Sequence, residues 1–148
     1  MSDQRNRINT IVALLNSNSN LSSGNLNKVK AELHQVVDVH GISPTRRRNL
    51  MKVLHSTRAL DSTLNAFVEF HNIKNNAKSI GQYLSQLQKH NEQSLQNLSA
   101  SERSRYQRSI ADLRNKHLHT ADSYPANEAE VNNIIGEMQT LISRLATL

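Results

Sequence analysis

VNNIIGEMQTLISRLATL, residues 131–148, decides the fold. Its apolar residues are Val131, Ile134, Ile135, Met138, Leu141, Ile142, Leu145 and Leu148, mostly three or four apart. That is the period of an α-helix with one buried side, not the alternation of a strand. So wide an apolar face predicts a helix at the centre of a bundle, or one shared with a second subunit. Asn127, three residues before Glu130, predicts the N-terminal cap of this helix.

Working back from it, HTADSYPAN (119–127) reads as a turn. Before that turn, Tyr106, Ile110, Leu113 and His117 form a second helical stripe. Ser99-x-x-Glu102 has the form of a capping box and predicts where that helix starts. Ile80, Leu84, Leu87, Leu95 and Leu98 predict an earlier helix, separated from the preceding one by NIKNNAKS (72–79). Leu50, Val53, Leu54, Leu60, Leu64, Phe67 and Val68 mark the buried face of a long helix. Its expected start is Ser43-Pro44, with Ser43 as cap and Pro44 in the first turn. Leu26, Val29, Leu33, Val36 and Val37 predict a helix ended by a left-handed Gly41. NSNSNLSSGN (16–25) reads as a polar loop, and Ile8, Ile11, Val12 and Leu15 predict a first helix over ~3–16. The expectation is one all-α domain over 1–148, an up-and-down bundle of about five to six helices.

Composition agrees. The chain has four Gly, two Pro, two Phe, three Tyr and no Trp, so the core must be Leu, Ile and Val. It has no Cys, which excludes disulfides and thiolate chemistry and fits a reducing compartment. No apolar run approaches the ~20 residues of a membrane span, so the expectation is a cytoplasmic protein without a membrane partner. The formal charge of +6 favours a polyanionic partner, RNA above all. The positive charge is clustered. Arg46, Arg47, Arg48, Lys52 and Arg58 precede Asp61, and Arg103, Arg105, Arg108, Arg114 and Lys116 share a stretch with one acid, Asp112.

Several common catalytic signatures are missing. The chain has no glycine-rich phosphate loop, no HExxH, no Gly-x-Ser-x-Gly and no dense carboxylate set, so no metal site and no cofactor are expected. His34, His40, His55, His71 and His90 are scattered, and a structural or surface role is expected for each.

LRNKHLH (113–119) is different. On an ideal helix Arg105, Arg108, Asp112, Asn115 and His119 lie along one face, with the core stripe turned away and Arg114 between the two. His117 continues the core stripe. Cleavage of RNA by its own 2′-OH needs a group that moves protons near neutrality and another that holds charge on the phosphorane. Histidine suits the first and arginine the second. Asparagine orients. Arg114 and His119 are roughly 140° apart on an ideal helix. Unwinding at Leu118–His119, or pairing with a second copy, would bring them together.

Arg114-Asn115-Lys116-His117-Leu118-His119 resembles the R-x(4–6)-H motif of the HEPN superfamily. That family commonly has a polar residue after the Arg and an apolar one before the His, as Asn115 and Leu118 are here. The resemblance covers residues 45–148 and leaves the helices of 1–44 unexplained. It implies a homodimer of small α bundles in which two motifs meet across a cleft. It implies a metal-independent endoribonuclease that leaves a 2′,3′-cyclic phosphate and a 5′-OH. Many members are toxins or antiphage effectors, so an antitoxin or defence-system protein is an implied partner. Carried over, Arg114 and His119 are the catalytic pair and Asn115 supports them, with Asp61, Glu69 or His117 as auxiliary groups. Arg105, Arg108, Lys116, Arg46, Arg47 and Arg48 are expected to hold the RNA backbone. One position departs from the pattern: where partner-modified toxins have Tyr two residues after the His, this chain has Ala121, and its nearest Tyr is Tyr124.

Two other readings remain open. One is a non-catalytic module of the same fold that binds RNA, nucleotide or a protein partner. The other is a plain interaction bundle whose last helix docks a partner.

Overall fold

A computed structural model describes residues 2–22, 26–73, 76–90 and 95–148. Every regular element among them is helical. In order they are α1 (Ser2–Ser17), a single turn α2 (Ser19–Ser22), α3 (Leu26–Asp38) and a 3₁₀ turn (Val39–Gly41). There follow α4 (Thr45–Phe70), α5 (Ile80–Lys89), α6 (Ala100–Tyr106), a π turn (Gln107–Ala111), α7 (Asp112–His119) and α8 (Glu128–Ala146). No described helix is long and apolar enough to cross a membrane.

α8 is the centre of the packing, as its pattern predicts. Val131, Ile134, Ile135, Met138, Leu141, Ile142 and Leu145 are all buried, and α8 packs on α1, α2, α4 and the π turn. α3 lies along α4, α2 also meets α4, and α5 bridges α4 to the α6–α7 rod. One core runs through all of them, from Ile8 and Ile11 to Leu141 and Leu145. The predicted caps form. Ser99 and Glu102 make a reciprocal capping box, and the Asn127 side chain accepts from the Glu130 amide.

Four expectations need correction. Within the expected 16–25 loop, Ser19–Ser22 is a helical turn, because Leu21 turns into the core; residues 23–25 lie outside the described part. Gly41 is not left-handed: the chain tightens into a 3₁₀ turn and leaves it through extended Ile42. Pro44, not Ser43, is the N-cap residue of α4, and its carbonyl accepts from Arg47 and Arg48. α5 ends at Lys89, short of Leu95 and Leu98. Those two leucines reach the core from irregular chain, where the Leu98 amide donates to the Leu87 carbonyl at 3.2 Å.

One polar cluster ties the ends of the fold together. Lys52 is fully buried. Its ammonium donates to Gln4 Oε1 at 2.6 Å, lies 3.2 Å from His40 Nδ1, and is 3.7 Å from Glu128. Gln4 donates in turn to Asn132 Oδ1 at 2.6 Å. Burial holds the Lys52 pKa below its ordinary value, against the pull of Glu128. A buried ammonium needs such a shell, since an unpaired one is expelled or neutralised.

Candidate functional site

The site is built on the rod that runs from α6 to α7. At its middle the ladder slips: the Asp112 amide bonds to the Gln107 carbonyl, five residues back rather than four. One extra residue in a turn sets everything after it back by about 100°. Gly81 of α5 packs against this turn so closely that an added Cβ would meet Gln107 Oε1 at 2.9 Å.

The slip decides where the side chains of α7 point. On an unbroken α-helix Leu113 would face the core and Arg114 would lie beside it. Here Arg114 turns inward, half-buried, towards α4, while Leu113 is only partly buried on the α8 side. Arg114 Nε is buried and finds no hydrogen-bond partner among the described residues. Its charge is felt by Asp61 of α4, whose Oδ1 is likewise buried and has no hydrogen-bond partner among the described residues. Burial pushes the Asp61 carboxyl above the usual carboxylate range, and Arg114 pulls the other way. Tyr83 of α5 lies close by. Its hydroxyl donates to Asn65 at 2.9 Å, and burial, then the charges of Asp61 and Glu69, push its pKa up. Glu69 itself is exposed, about two turns beyond Asp61. Of the two acids named from sequence, Asp61 is the one that feels the charge of Arg114.

His117 is buried and fully engaged. Its Nε2 lies 2.7 Å from Glu130 Oε1, and its Nδ1 lies 3.0 Å from Ser123 Oγ. The other Glu130 oxygen accepts from the Ala126 amide at 2.6 Å. Burial alone would raise the Glu130 pKa, but the bonds from His117 and Ala126 outweigh it and hold the carboxylate low. His117 thus fastens the end of α7 to the following turn and to α8. Asn115, Lys116 and His119 are exposed on the outer side of the same two turns. Arg114 and His119 are not brought together within one chain. Both follow the π turn, so they keep their separation of roughly 140°.

The remaining cations divide. Arg108, Arg46 and Arg47 are exposed, and the Arg46 guanidinium sits 5.2 Å from the centre of the Tyr124 ring, in the turn after His119. Arg105 is exposed but paired with Glu137 through two bonds, of 3.1 and 2.7 Å. Arg48 donates to the His40 carbonyl at 2.9 Å, and Lys52 is buried, so the basic run that starts at Arg46 is not one continuous surface. Arg58 pairs with Glu32 at 2.9 Å.

Sequence reasoning missed a groove of about 490 Å³ between α3 and α4 that reaches Asp61. In it His55 Nδ1 lies 2.8 Å from Glu32, the same carboxylate that holds Arg58. The available signal was the spacing of His55, Arg58 and Ser62, which puts them on one side of α4. Among the described residues no group of three or more His, Asp or Glu is arranged to hold a metal ion. Comparison of the chain with protein-family models, with curated proteins and with solved structures found no match.

Proposed function

We propose that the chain is an up-and-down helical bundle of the HEPN type that cleaves RNA as a homodimer, without metal. One observation carries this reading: the division of roles along α7. His117 is turned inward and anchored, Arg114 is half-buried near Asp61, and Asn115 and His119 are left outward at the end of the helix. That arrangement supports His119 rather than His117 as the working imidazole, since both nitrogens of His117 already have partners.

In the proposed reaction the ribose 2′-oxygen attacks the adjacent phosphorus, a P–O bond forms, and the bond to the 5′-oxygen breaks. His119 moves a proton, either from the 2′-OH or to the departing oxygen. Arg114 holds the charge on the phosphorane oxygens. Asn115 orients the phosphate, and the products are a 2′,3′-cyclic phosphate and a 5′-OH. The angle between Arg114 and His119 means that the arginine of one copy works beside the histidine of the other. Exposed Arg108, Lys116, Arg46 and Arg47 guide the strand. The resemblance adds a role as a toxin or defence effector acting on cytoplasmic RNA, held in check by a partner protein.

The test is incubation of the purified protein with RNA in a chelator, followed by end-group analysis. Cleavage with cyclic-phosphate ends is expected. Arg114→Ala and His119→Ala are each expected to lose about 10²–10⁴-fold in rate. Cleavage that survives both substitutions, or disappears in the chelator, overturns the reading.

The divergence of Arg114 and His119 within one chain favours a second reading, a non-catalytic module of the same type that holds RNA. A dimer that binds RNA but cuts none under these conditions would establish that alternative.

A further inference from the structure

A second groove, of about 530 Å³, lies on the other flank of the α6–α7 rod, between α1, α8 and the π turn. We propose that it binds a nucleoside phosphate, as a free mononucleotide or as one unit of an RNA strand. This inference does not require that the protein cleave RNA.

Several observations converge. Arg7 of α1 is exposed and has no ion pair among the described residues; its one hydrogen bond is a 3.4 Å contact with Gln139. Its guanidinium lies along α8 over Gly136, where an added Cβ would come within 3.1 Å of Nη1. A side chain at 136 would oblige the guanidinium to shift by a few tenths of an ångström. Arg105 also lines the groove; it gives Nε and Nη2 to Glu137, which lines it too, and keeps Nη1. Together these two cations suit a phosphate, because a guanidinium fork matches phosphate oxygens.

The rest of the lining suits a base. Asn132 gives its oxygen to Gln4 and keeps its NH₂, while Asn133 is exposed with both donor and acceptor. Carboxamides pair with the edges of nucleobases, which carry mixed donors and acceptors. Leu113, swung out by the π turn, gives an apolar flank for the ring. Ser109, within that turn, has a buried hydroxyl without a hydrogen-bond partner among the described residues. π turns recur at functional sites because the slipped ladder re-aims side chains. The groove also gives α1, which the R-x(4–6)-H resemblance leaves unexplained, a part in recognition.

The test is calorimetric titration of the whole chain with each of the four nucleoside 5′-monophosphates and with a short RNA carrying 2′-O-methyl groups throughout, which cannot be cleaved. Mononucleotide binding is expected, and Arg7→Ala is expected to weaken it about tenfold or more. Asn133→Ala is expected to change the ranking of the four bases. Arg58→Ala, in the groove between α3 and α4, is expected to leave mononucleotide affinity unchanged. If the uncleavable RNA also binds and shares the Arg7 sensitivity, the ligand is a strand unit; if only mononucleotides do so, it is a free nucleotide. No mononucleotide binding, or affinity unchanged in Arg7→Ala, overturns the proposal, and an unchanged ranking in Asn133→Ala removes base recognition from it.

Discussion

His117 and His119 stand two residues apart and differ in almost every physical respect. One is enclosed, with a carboxylate on one ring nitrogen and a hydroxyl on the other. The other is exposed at the last position of α7. Replacing a buried, doubly bonded imidazole leaves Glu130 and Ser123 without their partner, so His117→Ala should lower stability by about 2–4 kcal/mol. His119→Ala should stay within about 0.5 kcal/mol of the parent, as exposed substitutions do. Urea denaturation of the two variants measures the difference. Equal losses would mean that the anchoring role has been misassigned. The sequence shows part of this division: His117 falls on the line of Tyr106, Ile110 and Leu113, whereas His119 falls off it. Its partners, Ser123 and Glu130, were not visible, because they come from a turn and a helix that only tertiary packing brings near.

Periodicity predicts the helices well and the interruption inside one of them not at all. α1, α3, α4 and α8 follow from apolar spacing, and the Ser99 capping box marks the start of α6. The π turn leaves no such mark: Tyr106, Ile110, Leu113 and His117 make an acceptable α stripe without it. The slip sits where α4, α5 and α8 pack around the rod, with Ala111 buried and Arg114 near enough to Asp61 to pull its pKa down. Lys52 was equally hidden. Within a run of basic residues it reads as surface, yet Gln4, His40 and Glu128 converge on it from distant parts of the chain. Deletion of Ser109 should restore an unbroken ladder and turn α7 by about 100°. Helix content by circular dichroism should hardly change. Stability should fall by about 2–4 kcal/mol as His117 loses both bonds, and any RNA cleavage should vanish. A deletion variant that keeps both properties would show that the register of α7 is unimportant.

Arg46 and Arg47 at the start of α4, and Arg108 and Lys116 along the π turn and α7, are exposed cations. RNA held by such cations is held through its phosphates. The logarithm of its binding constant should therefore fall with the logarithm of salt, by about 0.7 for each phosphate contact to a single strand. Arg47 has no ion pair among the described residues, so Arg47→Gln should flatten that slope by about one contact without altering the melting temperature. A filter-binding series over salt concentration measures it, and an unchanged slope takes Arg47 out of the RNA path. The buried ammonium of Lys52 has a different consequence, for how the chain comes to fold. Gln4 meets Asn132 and Glu128 across more than 120 positions, and α1 packs mainly on α8. α1 is synthesised well before α8, so the side it turns to α8 stays uncovered until α8 follows. Such late closure between distant segments is slow and exposes the nascent polypeptide to aggregation.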